Sequence, residues 1–358
     1  MNRIAWIVVG FLAAVIVLAC LAGGYYLYNR SLGPGLQLAP AVVTQLVTVV
    51  VTPEPIVPPP STEVPPPTLT PLIAPTETPI PIPTDVAAAV DCGGSGKMAL
   101  LLLGESSLEK NPERGADAIR LVKVDFDNDA VTILSMPPDL WVNTPNLAGV
   151  TATTLTNSYR TAKDASASQG ERTAMVQGTQ ATAQALLDNF GYQPDHYITL
   201  SQLLFTSMVD TLGGIEITVP TRVDGRAEGR GLFESGPQVF SGQRANDYVR
   251  ILQPNNQLQP DEWGRFERQN QVISALRAEI LRPENLPVMP QLISQFADLV
   301  VTNLSPNQLL DLNCMIAAVG GNINVQQVSQ DMVTVDSQGH TIPDGAEIRS
   351  LIEVSLNQ

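Results

Sequence analysis

Basic residues and histidines are scarce in this sequence, and their scarcity excludes whole classes of function. Only 20 of the 358 residues are Lys or Arg, against 35 Asp or Glu, which gives a formal net charge of −15. A nucleic-acid-binding surface needs a broad excess of Lys and Arg, so we expect no nucleic-acid partner. With only His196 and His340 available, a two-histidine metal site is disfavoured.

Two catalytic or regulatory signatures are also missing. No Gly-x-Ser-x-Gly stretch occurs, which sets aside hydrolysis by a Ser/His/Asp triad on a nucleophile elbow. No basic helix-turn-helix pattern is visible, which sets aside direct gene regulation. Against so acidic a background, local clusters of arginine predict a small, focused anion site.

Cysteine is rare too. Cys20 lies in an apolar run, whereas Cys92 and Cys314 flank the globular part of the chain. Outside the cytoplasm, Cys92 and Cys314 could form a disulfide that closes a long loop, or each could be a small core residue. The sequence leaves both possibilities open.

The first ninety residues predict an anchor and a linker. Residues 4–27 carry no charge and are long enough to cross a bilayer as a helix, with tyrosines at the end of the run. A cleaved signal peptide, or a lipoprotein signal at Cys20, is the alternative. Because the apolar run continues beyond Cys20, we expect a single-pass anchor at 1–30 with the globular domain extracytoplasmic. Residues 31–90 hold most of the 29 prolines and predict a disordered, semi-rigid spacer.

From Met98 onward the pattern indicates an α/β domain, because strands alternate with helices. The apolar run Met98–Leu103 predicts a buried strand, and two alternating stretches around Asp127–Asp129 predict a hairpin. Predicted helices cover Gln177–Phe190, Leu200–Leu212, Trp263–Leu281, Pro306–Val319 and Gly345–Leu356, with another near 290–300. In the helix Trp263–Leu281, Arg265 and Gln269 share a stripe at the N-terminal end, which favours anions.

Eight stretches of the domain follow one another in an order that is typical of one family. They are LLLGES (Leu101–Ser106), GADAIRLVKVD (Gly115–Asp125), ILSMPPDLWV (Ile133–Val142), LTNSY (Leu155–Tyr159), PDHYITLS (Pro194–Ser201), VDTLGGIEITVP (Val209–Pro220), FSGQRANDYVR (Phe240–Arg250) and GRFERQ (Gly264–Gln269). Together they resemble the LytR–CpsA–Psr family of cell-envelope proteins. The resemblance places the family domain at 91–282, and residues 283–358 look like a C-terminal extension packed on it.

The resemblance implies a three-layer α/β/α sandwich with a mixed central sheet and an apolar tunnel. It implies a phosphotransferase that moves a glycopolymer phosphate from a polyprenyl-pyrophosphate carrier to peptidoglycan or another cell-wall acceptor, with Mg²⁺ at the pyrophosphate. It also implies catalytic roles for Asp117, Arg265 and Gln269, with Asp117 on the metal side or acting as base for the acceptor. The substrate-binding candidates are Arg250, Arg268, Glu262 and Arg120.

The chain departs from the family pattern at several charged positions. Pro138 and Leu252 stand where arginines are usual. Losing an arginine that contacts a charged group removes ~1.5–3 kcal/mol of binding per hydrogen bond. Other departures, with the usual residue in parentheses, are Ser106 (Asp), Gly115 (Arg) and Glu262 (Asp), and Arg114, Arg120 and Arg160 are candidate replacements for the missing arginines. The alternative function is therefore a catalytically degenerate relative that binds polyprenyl lipid or glycan as a scaffold.

Overall fold

The computed structural model describes residues 27–40, 92–106, 115–257, 261–280, 282, 284–285, 300–319 and 323–356. Most of the predicted anchor and most of the predicted linker therefore lie outside the described residues, as does most of the helix predicted near 290–300. Among the residues that are described, no helix is both long and apolar enough to cross a membrane.

The strands and helices follow the predicted alternation. The strands are β1 (Lys97–Glu105), β2 (Ala116–Asp125), β3 (Ala130–Met136), β4 (Trp141–Leu147), β5 (Val150–Thr154), β6 (His196–Ser201), β7 (Ile215–Val219), β8 (Val223–Asp224), β9 (Leu232–Phe233), β10 (Gly236–Phe240), β11 (Val301–Thr302), β12 (Ile323–Gln327), β13 (Val333–Val335) and β14 (Thr341–Pro343). The α-helices are α1 (Leu155–Ala165), α2 (Glu171–Phe190), α3 (Gln202–Thr211), α4 (Gly242–Arg250), α5 (Glu262–Ile280), α6 (Pro306–Val319) and α7 (Gly345–Leu356).

The central sheet has the strand order β11-β6-β1-β2-β3-β12 and is mixed. The β1–β2 and β2–β3 pairs are antiparallel, whereas β1–β6 and β3–β12 are parallel. The predicted hairpin is confirmed: β2 and β3 join at a turn where Asp129 has a φ of 46°. This topology places the ends of β1, β3 and β6 and the start of β2 at one edge of the sheet.

Helices cover both faces of the sheet, which confirms the predicted α/β/α layers. Side chains alternate along β1, so Leu101 and Leu103 face one layer while Met98 and Leu100 face the other. The first layer contains α1, α2 and α7, represented in the core by Tyr159, Leu186 and Ile352. The second layer contains α6, through residues such as Met315.

Residues after 300 belong to the same core as the family domain. Both edge strands of the central sheet, β11 and β12, come from this part of the chain. A disulfide joins Cys92, just before β1, to Cys314 in α6. The predicted boundary at 282/283 therefore does not separate a domain from an extension, because the sheet is completed only by the later residues.

The first residues of the predicted linker also lie on the domain. Leu36 and Leu38 pack against the core formed with α2. The backbone of Gln37 and Ala39 is hydrogen-bonded to side chains of α2. A spacer role thus remains a prediction only for residues 41–90.

Candidate functional site

A β-bulge at the start of β2 positions Asp117. Gly104 pairs with Ala118, but Glu105 pairs with Ala116, so Asp117 is the extra residue of the irregularity. Ala116 and Ile119 consequently face the same core although they are three residues apart. A bulge of this kind re-aims one side chain, and here it directs a buried carboxylate toward α5.

Arg265 is the centre of the charged cluster. Its side chain is only 2% exposed, and its Nη1 lies 3.5 Å from Asp117 Oδ1. Its Nη2 donates a hydrogen bond to Asp139 Oδ2 at 2.9 Å. Asp139 follows β3 at the same edge of the sheet. One guanidinium therefore bridges a carboxylate of β2 and a carboxylate of the segment after β3, a geometry that arginine's planar fork favours.

The first turn of α5 directs Arg265 toward the edge of the sheet where Asp117 and Asp139 lie. Asp261 accepts a hydrogen bond from Gly264 N at 2.9 Å. A Cβ at Gly264 would lie 1.9 Å from the Asp261 carboxylate, so a larger residue there would displace that carboxylate. Gln269, one turn after Arg265, is buried, and its Oε1 accepts no hydrogen bond within the described part of the chain. A buried amide oxygen without a partner is costly and marks a position where a donor belongs.

The other two arginines have different surroundings. Arg268 donates to the carbonyl oxygens of Tyr248 and Ile251 and lies 3.5 Å from Asp261, so its guanidinium fastens the end of α4 to α5. Arg250 donates to Gln202 Oε1 at the start of α3. Because Ser201 pairs with Glu105, Arg250 belongs to the same sheet edge as Asp117. Glu262 begins α5, and its side chain lies outside the described residues.

Glu105 and Lys163 form a second charged pair beside this cluster. The Lys163 ammonium donates to Glu105 Oε1 and lies 2.7 Å from Glu171. The pKa of Glu105 is raised, chiefly by burial. The hydrogen bond from Lys163 lowers this pKa, whereas the negative charges of Glu171 and Asp117 raise it. Burial would lower the pKa of Lys163, but its hydrogen bonds to both glutamates raise it. Glu105 Oε2 remains buried and accepts no hydrogen bond from a described residue.

Lys163→Met should make the stability of the protein strongly pH-dependent. Without the ammonium, burial raises the pKa of Glu105 further, so folding disfavours its ionised form. A raised folded-state pKa means that stability is lost as the pH rises through it and regained as the pH falls. We expect a loss of about 2–3 kcal/mol near neutral pH that shrinks in acid, measured by denaturant unfolding across that range.

The matched control is Glu171→Gln, which removes the other partner of Lys163. Glu171 is 69% exposed in its side chain, so its loss should change stability by under about 1 kcal/mol. A pH-independent defect in Lys163→Met would contradict this account of the pair.

A large apolar cavity lies under the charged edge, between the sheet and the helices α3, α5 and α6. Its volume is about 360 Å³. The lining is mostly hydrocarbon and includes Leu100, Leu102, Val122, Met208, Ile273 and Ile316. It extends to Leu200 and Asn270, which adjoin Ser201 and Gln269 in the sequence. The cavity wall therefore includes residues that come directly before or after residues of the charged edge in the sequence.

Arg120 lies in the cavity wall, not in the charged cluster. It is 1% exposed, and its guanidinium lies 5.4 Å from the centre of the Phe266 ring. Burial lowers its pKa to about 9. Of the other arginines considered as replacements, Arg160 pairs with Asp164 on the half-exposed face of α1, and Arg114 lies outside the described residues.

The carboxylates present fit one side of the Mg²⁺ site that the resemblance implies. Asp117 Oδ1 is buried and accepts no hydrogen bond from a described residue, although Arg265 is nearby. Magnesium prefers such hard oxygens and often uses one or two carboxylates together with substrate phosphates and water. Among the described residues no group of three or more His, Cys, Asp or Glu side chains converges, so an all-protein metal cage is not available there.

The sequence identified most of the cluster but missed three of its members. Asp139, which follows the unusual Pro138, was not among the predicted site residues, although a carboxylate directly after a strand end is itself a signal. Glu105, which precedes Ser106, was not among the predicted site residues either. Lys163 gives no local signal, because only the packing of α1 brings it to Glu105.

Comparison with known proteins points to one family. A model of the LytR_cpsA_psr family matches residues 82–353. The chain is 24% identical over 274 residues to the cell wall biosynthesis protein LcpA of Corynebacterium glutamicum, covering 73% of this chain and 49% of LcpA. It is 24% identical over 212 residues to the polyisoprenyl-teichoic acid–peptidoglycan teichoic acid transferase TagV of Bacillus subtilis, covering 58% and 49%. The chain thus spans about half the length of these curated relatives.

Solved structures show the same fold. The crystal structure of B. subtilis TagV superposes with a TM-score of 0.56 at 18% identity, covering 74% of this chain and 98% of the TagV chain in the crystal. The LytR-Csp2A-Psr enzyme from Actinomyces oris superposes with a TM-score of 0.54 at 24% identity, covering 74% and 90%.

Proposed function

Because the chain belongs to the LytR–CpsA–Psr family, we propose that it is a cell-wall glycopolymer transferase. Its donor would be a glycopolymer on a polyprenyl-pyrophosphate carrier, and its acceptor peptidoglycan or another wall polymer. The observation that carries the proposal is an apolar cavity whose wall includes Leu200 and Asn270, together with the buried cluster of Arg265, Asp117 and Gln269, which Asn270 directly follows in the sequence. The relatives TagV and TagU are named as teichoic acid transferases to peptidoglycan, and a structure of TagT is described as bound to LIIa-WTA.

The proposed reaction is a substitution at phosphorus. The acceptor hydroxyl forms a bond to the phosphorus that carries the glycan, and the bond from that phosphorus to the polyprenyl phosphate breaks. Such transfers depend mainly on positioning and on neutralising charge. Arg265 supplies a fixed fork of donors, and Gln269 supplies an amide for a phosphate oxygen or the acceptor.

The two buried carboxylates, Glu105 and Asp117, have different proposed roles. Glu105, whose pKa burial raises, takes the proton of the acceptor hydroxyl on its free Oε2. Asp117 would hold Mg²⁺, which would neutralise pyrophosphate charge when bound. The predicted anchor would keep the domain at the outer face of the membrane, where a polyprenyl carrier resides.

A scaffold that binds the lipid without turnover is the second candidate. Two observations favour it: arginines usual in the family are absent at Pro138 and Leu252, and Arg265 is already paired with two carboxylates.

The deciding experiment is release of polyprenyl phosphate from a lipid-linked pyrophosphate glycan by the full chain. We expect release that requires an acceptor and stops when Mg²⁺ is chelated. Binding of the substrate without any release, at all Mg²⁺ concentrations, would eliminate the transferase in favour of the scaffold.

A further inference from the structure

Arg120 is a buried cation for which the described protein supplies no countercharge. Its Nη1 donates to its neighbour's carbonyl, Ile119 O, at 3.0 Å, and its Nη2 donates to Asn270 Oδ1 at 2.8 Å. Both acceptors are neutral. Burial alone lowers the pKa of Arg120, which agrees with the absence of a nearby carboxylate among the described residues. An unpaired buried charge is costly, so this position calls for an anion.

The anion would have to be the head of an amphiphile. Arg120 faces Leu102 across the β1–β2 pair, on the cavity side of the sheet. It lies three residues beyond Asp117, which is about 10 Å along a strand. A molecule that reaches both Asp117 and Arg120 would carry negative charge at the charged cluster and beside Arg120, and its hydrocarbon would fill the rest of the cavity.

We propose that Arg120 binds the phosphate next to the lipid tail and so stabilises the leaving polyprenyl phosphate. This inference rests on the proposed function. When the bond to the reacting phosphorus breaks, its electron pair stays on the bridging oxygen, and the polyprenyl phosphate gains one negative charge. Arg120 lies on the side where the tail is held and compensates for the arginines missing at Pro138 and Leu252.

The test measures binding and needs no turnover. Farnesyl phosphate and farnesol share a tail and differ in the anionic head. The full-length wild-type chain should bind the phosphate at least about thirtyfold more tightly than the alcohol, in keeping with one charged contact. In Arg120→Met the preference should fall to a few-fold, while Arg120→Lys should keep part of it.

The matched control is Arg160→Met, which removes the same charge from a half-exposed site on α1. It should keep the wild-type preference. Removing a buried unpaired charge should also leave the melting temperature of unliganded Arg120→Met unchanged or higher. An unchanged preference in Arg120→Met, or a large fall in its melting temperature, would overturn the proposal. Because no release is measured, failure of the transferase itself would not produce either result.

A second inference comes from residues 31–40, which we call the strap. Gln180 and Gln184 are four residues apart on α2, about 6 Å along the helix, and residues 37 and 39 of an extended chain are spaced about equally. Each glutamine amide therefore pairs with one backbone amide of the strap. Gln37 N donates to Gln180 Oε1 at 2.9 Å, and Ala39 N donates to Gln184 Oε1 at 2.7 Å. The carbonyl oxygens of Gln37 and Ala39 accept from the same side chains in return.

The other end of the strap lies beside the cavity. Leu32 N donates to Leu304 O at 3.0 Å. A Cβ at Gly33 would come within 2.5 Å of Thr302 O, so the close approach requires glycine. Arg172 donates both to Leu32 O and to the carbonyl of Val300, a residue of the cavity wall.

The geometry points to a strap that holds the membrane end of the chain at the cavity. It rests on the anchor predicted at 1–30. The Pro-rich residues 41–91 then connect Pro40 and Cys92, which are both held on the domain. Because both ends of this segment are held, its length does not set the distance from the domain to the bilayer.

The test compares that distance in two chains reconstituted in phosphatidylcholine–phosphatidylglycerol vesicles. Energy transfer is measured from a donor at the exposed Thr221 to labelled lipid. Inserting about twenty Gly/Ser residues between Pro60 and Ser61 should leave transfer unchanged, although a flexible spacer of that length adds about 25 Å. The same insertion in Gln180→Ala/Gln184→Ala should lower transfer, whereas Gln177→Ala, on the exposed face of α2, should not.

Hydrogen exchange gives the second readout. The amides of Gln37 and Ala39 should exchange at least about tenfold more slowly in wild type than in the double glutamine variant. An insertion that lengthens the distance in the wild-type chain, unprotected amides, or no association with vesicles would each overturn the inference. None of these outcomes depends on transferase activity.

Discussion

Arg265→Ala is expected to lower transfer of the glycopolymer phosphate by at least about a hundred- to thousandfold, because it removes preorganised donors at the reacting phosphorus. It also leaves Asp117 and Asp139 without their shared cation. Breaking a buried pair on one side costs about 3–5 kcal/mol when both groups are fully buried, and less here because Asp139 is 24% exposed in its side chain. Release of polyprenyl phosphate and the melting temperature should be measured together.

Arg265→Lys separates the two effects. Lysine keeps the charge and so preserves most of the stability, but it cannot reproduce a fork that spans two carboxylates or two phosphate oxygens. We expect a melting temperature close to wild type with activity still reduced by about tenfold or more. Full activity in Arg265→Lys would show that only charge matters there, and full activity in Arg265→Ala would remove Arg265 from the reaction.

Filling the cavity is expected to produce the second large effect, a rise in KM that is confined to substrates with long tails. Leu100→Trp on β1 combined with Ile316→Trp on α6 places two indoles in a space of about 360 Å³. Each buried methylene contributes about 0.8 kcal/mol, so excluding a few of them should raise KM by about a hundredfold. Transfer rates should be measured with a long polyprenyl substrate and with a ten-carbon analogue.

The contrast between the two substrates is the decisive part of that experiment. The short analogue does not need the deep cavity, so its KM should change by less than about threefold. Leu203→Trp is the control, because Leu203 lies on α3, as the cavity residue Met208 does, but is 73% exposed. Equal losses for long and short substrates would mean that the indoles disturbed the fold, and no loss for either would mean that the tail binds elsewhere.

Periodicity and turn chemistry predicted much of the fold. The helices Pro306–Val319 and Gly345–Leu356 have the predicted bounds, because proline or glycine marks where they begin. The β4–β5 hairpin and α1 were not predicted as elements. The hairpin sequence TPNLAGVTATT is polar and rich in threonine, and both β4 and α1 pack against α2. The stretch Gln243–Ile251 carries both helix and strand signals, and the structure forms α4 at Gly242–Arg250, where Tyr248 packs in a cluster of aromatic rings.

The sequence by itself determined the family, the alternation of strands and helices, and the pairing of Arg265 with Gln269 on one helical stripe, since each depends on residues near one another in the chain. Only the tertiary structure decided which charges meet. Sheet order brings Asp139 and Asp117 to Arg265, helix packing brings Lys163 to Glu105, and strand alternation turns Arg120 into the cavity. The strap was likewise invisible in a Pro-rich sequence, because its partners lie about 145 residues away on α2. Contacts of that kind depend on topology, which no local pattern encodes.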